Sequence, residues 1–113
     1  MNGIKLRGLG RCVPAQSVTN DDLAKTVDTS DAWITARTGI RSRRRCTEDT
    51  HTELCVTAAR RALAQAGITP ADIGACIVAT VSADTIVPSA ACMLQRDLGM
   101  PEDTPCFDLN AAC

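Results

Sequence analysis

Cys113 is the side chain of this sequence best placed to act as a nucleophile. It closes the run "CFDLNAAC", which follows a predicted strand. A thiol just after a strand, opening a helix, meets oriented backbone N–H groups and the positive end of the helix dipole, and its pKa falls. That helix would have to follow Cys113; a purely structural strand-terminal cysteine is the competing reading from these residues alone. A second chemical feature is the pair Trp33 and Arg37. Four residues apart on a predicted helix, they project from one face, where an indole and a guanidinium could sandwich a flat ring. Arg37, Arg41, Arg43, Arg44 and Arg45 crowd into nine residues. Such a cluster attracts an anionic partner, a phosphate-bearing cofactor or an acidic carrier protein, although Arg43 to Arg45 read equally well as a solvated basic loop. No aromatic interleaving accompanies the basic run, which argues against nucleic acid.

The remaining cysteines carry less. There are seven in all, an odd number, with spacings of 34, 9, 21, 16, 14 and 7 and no C-x-x-C pair, so neither a disulfide framework nor a metal site is indicated. Most are expected to be small buried hydrophobes. The one histidine, His51, falls in the first turn of a predicted helix and reads as a surface residue.

The elements that must position these residues follow from local signals. Ile4 to Leu9 alternates apolar and polar residues and predicts a short strand. Thr19 and Asp22 form a T-x-x-D start signal for a short helix from about Asn20. Ser30 is an N-cap for a helix carrying Trp33, Ile34 and Arg37 and closing at Gly39. Thr50 and Glu53 open the clearest helix, whose stripe of Leu54, Ala58, Ala62 and Ala66, widened by Cys55, Ala59 and Leu63, ends at Gly67; its small residues allow close approach to a sheet. Thr69, Pro70 and Asp72 predict one further helical turn. Ala75 to Val81 reads as a buried strand, Ser89 to Leu98 as a helix ended by Gly99, and Pro105 to Leu109 as a strand. Strand, helix and strand make a parallel βαβ unit, so the fold class is α/β. Nothing suggests a linker or a domain split.

With 113 residues, 45% hydrophobic, 22% charged and a net charge of −1, the composition is that of a soluble globular chain. Residues 1 to 61 carry eleven Lys/Arg against seven Asp/Glu, and residues 62 to 113 one against six. The uncharged stretch from Ile73 to Ala83 is too short for a membrane span, and "MNGIKLRGLG" lacks the apolar core of a signal peptide. The expected location is the cytoplasm, with no membrane partner.

"TNDDLAKTVDTSDAWITARTGIRSRR", "VATVSADTIVPSAACMLQRDLG" and "CFDLNAAC" resemble, in collinear order over essentially the whole chain, the ketoacyl synthase III family of the thiolase superfamily. The resemblance implies that residues 1–113 form an incomplete N-terminal part of a layered αβαβα fold with a mostly parallel sheet. It puts Cys113 at the acyl-accepting cysteine, Trp33 and Arg37 at the pair that clasps the adenine of coenzyme A, and Thr29 beside the coenzyme A entrance. Val87 falls where many members carry a bulkier Phe near the dimer interface and acyl pocket. The implied partners are acyl-CoA, malonyl-acyl carrier protein and a second copy, with the coenzyme A thioester as substrate and no cofactor or metal. The family's catalytic His and Asn lie outside this sequence; His51 and Asn110 match neither. A chain ending at Cys113 leaves the thiol beside its own α-carboxylate with no following helix, so as an isolated polypeptide it is expected to be inactive. Initiation of fatty acid synthesis, a polyketide starter-unit synthase, and a noncatalytic fragment are the three readings carried forward.

Overall fold

The computed structural model describes residues 3–111, so Cys113 lies outside the described residues. The chain divides into two compact units. Residues 13–49 form one, and the segments up to Cys12 and from Thr50 onward form the other.

In the 13–49 unit, β1 (Gln16–Thr19) pairs antiparallel with β2 (Ser42–Arg45), Val18 opposite Arg43. Between them run α1 (Asn20–Ala24) and α2 (Asp31–Thr38). Both helices start where their caps predict. Thr19 Oγ1 accepts from the Asp22 N–H while the Asp22 carboxylate accepts from the Thr19 N–H, and Ser30 Oγ accepts from the Trp33 N–H. Helix α2 closes at Gly39, whose φ of 71° suits a residue without a Cβ.

This ribbon departs from the sequence expectation. Arg43 to Arg45 are not a loop but part of a two-stranded sheet in which Arg44 and Arg45 stay exposed, and the guanidinium groups of Arg43 and Arg44 bind the backbone and side chains beside them. Arg43 donates to Val18 O and Asn20 Oδ1, and Arg44 to Ala15 O and Pro14 O. Asn20, 1% exposed, is the largest fully buried side chain of the described residues. Its amide nitrogen donates to Asp31 Oδ1 and Ile40 O, both at 2.7 Å. Beside Ile34, the interior of this unit is therefore a satisfied polar network rather than an apolar core.

The second unit carries the parallel pair. Helix α3 (His51–Ala66) starts at the Thr50–Glu53 capping box and stops at Gly67. A 3₁₀ turn at Pro70–Asp72, strand β3 (Cys76–Ala79), helix α4 (Ala90–Leu98) and strand β4 (Cys106–Leu109) follow. β3 and β4 are parallel, Cys76 opposite Cys106 and Ala79 opposite Leu109, as the βαβ pattern predicts. Val56, Cys76, Val78, Ala90, Ala91 and Leu94 form the core. The strands are shorter than expected, and β3 is buried on one face only. Ile77, Phe107 and Leu109 point away from the core and stay about half exposed, because no layer of the described residues covers that side.

No strand forms at Ile4 to Leu9. A strand needs a neighbour for its backbone groups, and this segment instead runs along the alanine stripe of α3. The Leu9 N–H donates to Gln65 Oε1 and Arg11 O accepts from Arg61. Gly8 and Gly10 approach the helix so closely that an added Cβ would collide with Ala62 O and Ala58 O respectively. The small residues of α3 thus admit an extended segment at their face.

Two carboxylates complete the scaffold. Asp84 accepts from the N–H groups of His51 and Thr52 and from Thr52 Oγ1, closing the N-terminus of α3. Asp108, on β4, accepts from the N–H groups of Ala90 and Ala91, both at 2.8 Å, and so fixes α4 to the sheet. Negative charge at these ends is favoured by the helix dipole.

Candidate functional site

The first turn of α2 presents Trp33 and the last presents Arg37, one turn apart. Their relation is tighter than the one-face geometry requires: Arg37 Cζ lies 4.2 Å from the Trp33 ring centroid, a direct cation–π stack. At that separation no ring fits between them. A flat ligand would stack on the outer surface of the pair or displace the guanidinium, and Trp33, 52% exposed, offers such a surface. Thr29, just ahead of the Ser30 cap, has its Oγ1 buried without a hydrogen-bond partner among the described residues, a polar atom free to meet a ligand or a water.

The other unit holds Val87, 84% exposed in the segment between β3 and α4. It also holds an open cavity of about 370 Å³ lined by Ala79, Thr80, Val81, Leu109 and Ala111. These residues end β3 and β4, so the cavity lies at the carboxyl ends of parallel strands, where α/β folds commonly place ligands.

Three of the described thiols are held protonated. Burial, foremost, pushes the Cys76 thiol up to about 11 and also raises Cys55 and Cys106. His51 is half-buried rather than a free surface residue, with Cys55 Sγ 3.7 Å from its Nδ1. A Cys–His pair invites comparison with an activated nucleophile, but Cys55 is held protonated by burial and by the nearby Asp84 and Asp108 carboxylates. Nor are the cysteines uniformly buried: Cys76 is, Cys46 is exposed, and Cys12, Cys55, Cys92 and Cys106 lie between.

The structure thus brings Trp33 and Arg37 into contact, with Thr29 in the same unit, and carries Val87 in the other. Sequence reasoning missed Asn20, Arg43, Asp84 and Asp108 as organising residues. For Asp108 a signal existed, a lone carboxylate inside an apolar strand; Asn20, at the first position of a short helix, gave none.

No protein-family model matches the chain. Among curated proteins it is 46% identical, over all 113 of its residues, to beta-ketoacyl-[acyl-carrier-protein] synthase III of Clostridium acetobutylicum, covering 34% of that protein. It is 47% identical to the protein of the same name from Neisseria meningitidis serogroup C, again over the whole chain and 36% of the relative. Among solved structures, 3-oxoacyl-[acyl-carrier-protein] synthase III from Aquifex aeolicus superposes with a TM-score of 0.93 at 42% identity, over 98% of this chain and 36% of that one. The priming beta-ketosynthase of the R1128 polyketide pathway superposes at 0.87 and 36% identity, over 96% of this chain and 33% of that one. The chain spans about a third of the length of the curated relatives it matches. Among the described residues no helix is long and apolar enough to cross a membrane.

Proposed function

From its likeness to beta-ketoacyl-[acyl-carrier-protein] synthase III proteins over the third of their length that it spans, we propose that the chain belongs to that family and forms the acyl-accepting part of a condensing enzyme that initiates fatty acid synthesis. In this reading Cys113 attacks the carbonyl of a short acyl-CoA, coenzyme A leaves as the thiol, and the acyl group is held as a thioester. Malonyl-acyl carrier protein then loses carbon dioxide, its carbanion attacks the thioester, and Cys113 departs as thiolate. The histidine and asparagine with which the family stabilises the enolate match no position in residues 1–113. No cofactor or metal is needed beyond the coenzyme A thioester.

The observation that carries the proposal is the exposed Trp33–Arg37 stack. An adenine ring can lie on the indole while the guanidinium attracts its phosphates, and the unpartnered Thr29 Oγ1 supplies a polar contact nearby in sequence. We extend the same reading to a cytoplasmic homodimer, in which the exposed Ile86 and Val87 become covered and Val87 shapes the acyl pocket.

Titration with coenzyme A tests the site directly. Trp33 is the only tryptophan, so its fluorescence should change saturably, and Arg37→Ala should abolish that change; a wild-type signal that stays flat at millimolar coenzyme A would sink the assignment. The likeness to a polyketide priming synthase favours starter-unit synthesis as the second reading, and the primer transferred to Cys113 separates the two.

A further inference from the structure

The parallel register sets Cys76 directly opposite Cys106 at the amino ends of β3 and β4. Adjacent strands run about 4.8 Å apart, inside the Cα separation of roughly 4.4–6.8 Å that a disulfide spans. Both side chains belong to the core-facing side of the sheet, Cys76 within the core cluster and Cys106 packed against it. Cys92 approaches from α4, its Sγ 4.0 Å from Cys106 O. Three thiols in one place suggest a soft metal, yet no group of three or more ligating side chains among the described residues is arranged to hold one. Oxidation remains. Cys76 lines a cavity of about 290 Å³ with Ala59, Leu94, Leu98 and Met100, which leaves room beside it for a molecule of peroxide size.

We propose that Cys76 and Cys106 are a latent redox pair, oxidised by a peroxide to a cross-strand disulfide that clamps the amino ends of β3 and β4. One thiolate attacks an oxygen of hydrogen peroxide, giving a sulfenic acid and releasing hydroxide, which takes up the thiol's proton as water. The opposing thiol then displaces the sulfenic oxygen as a second water and the Sγ–Sγ bond forms. Two thiols lose two electrons and peroxide gains them. Because both groups are held protonated, the reaction is slow and runs at millimolar peroxide over hours, whereas exposed Cys46 reacts first.

The test treats the folded chain with hydrogen peroxide, alkylates the remaining thiols, and maps the unreduced peptides by mass spectrometry. The expected product joins the Cys76 and Cys106 peptides, lighter by two hydrogens, and dithiothreitol returns both thiols. Cys92→Ala should leave that link unchanged. A link from Cys92 to either partner, or sulfinic acid at Cys76 or Cys106 with no link between them, would overturn the proposal.

Discussion

Arg43 donates from Nη2 to Oδ1 of Asn20 at 2.7 Å, and this contact ties strand β2 to the start of α1. The Asn20 amide nitrogen already serves Asp31 and Ile40, so Arg43 is its partner on the oxygen side. Replacing Arg43 with Ala strands a buried acceptor, a loss of about 1–3 kcal/mol. The midpoint of urea unfolding should fall with little change in slope. Arg43→Lys should recover only part of the loss, since one ammonium does not reproduce the fork that reaches both Val18 O and Asn20.

Arg37 over Trp33 predicts the opposite balance. An exposed cation–π contact contributes about 0.5–1 kcal/mol, so Arg37→Gln should barely move stability while altering the emission of the single tryptophan in the ligand-free chain. An emission spectrum identical to wild type would show that the two side chains do not stack in solution.

Asp108→Ala deprives the buried Ala90 and Ala91 N–H groups of their acceptor. The expected cost is at least about 2 kcal/mol, with amide exchange accelerating first at the start of α4. Asp108→Asn, which keeps one acceptor oxygen but loses the charge, should fall between the two.

Asp84 links stability to acid. Hydrogen bonds from Thr52, first its hydroxyl and then its N–H, and from the His51 N–H hold its carboxyl below the ordinary 3.8. A depressed folded-state pKa gives stability that is present above the unfolded value and is lost as pH falls through about 4 toward the lower folded one. Denaturation followed from pH 6 to pH 3 should therefore show a shallower loss in Asp84→Asn than in wild type. A variant whose curve runs parallel to wild type would remove Asp84 from that linkage.

At Gly10 the conflict is purely steric. A Cβ there would meet Ala58 O and Ala62 N, backbone atoms of a helix that cannot swing aside. Gly10→Ala should cost about 1–3 kcal/mol and release the amino-terminal segment from α3, measurable as faster proteolysis before Arg11.

The helix starts were legible because each capping partner lies three residues away. Thr19 with Asp22, Ser30 with the Trp33 N–H and Thr50 with Glu53 are local contacts, so residue types at fixed spacing suffice to find them. The same holds for the shared face of Trp33 and Arg37 and for the βαβ order around α4. The antiparallel ribbon was not legible: polar, arginine-rich strands carry no apolar alternation, and β1 and β2 become strands only by pairing with one another across more than twenty residues.

What the sequence determined by itself was therefore the set of helices, their starts, the glycine stops of the three longer ones, the parallel βαβ unit and the family resemblance. Tertiary structure alone decided that Asn20 is buried, that Arg43 and Arg44 are structural, that Asp84 and Asp108 cap helices far from them in sequence, and that residues 4–9 lie on α3 rather than in a sheet. The physical reason is range. A cap is satisfied within one turn of its own helix, whereas a buried amide, a distant carboxylate or an unpaired strand acquires its partner only when the chain has closed.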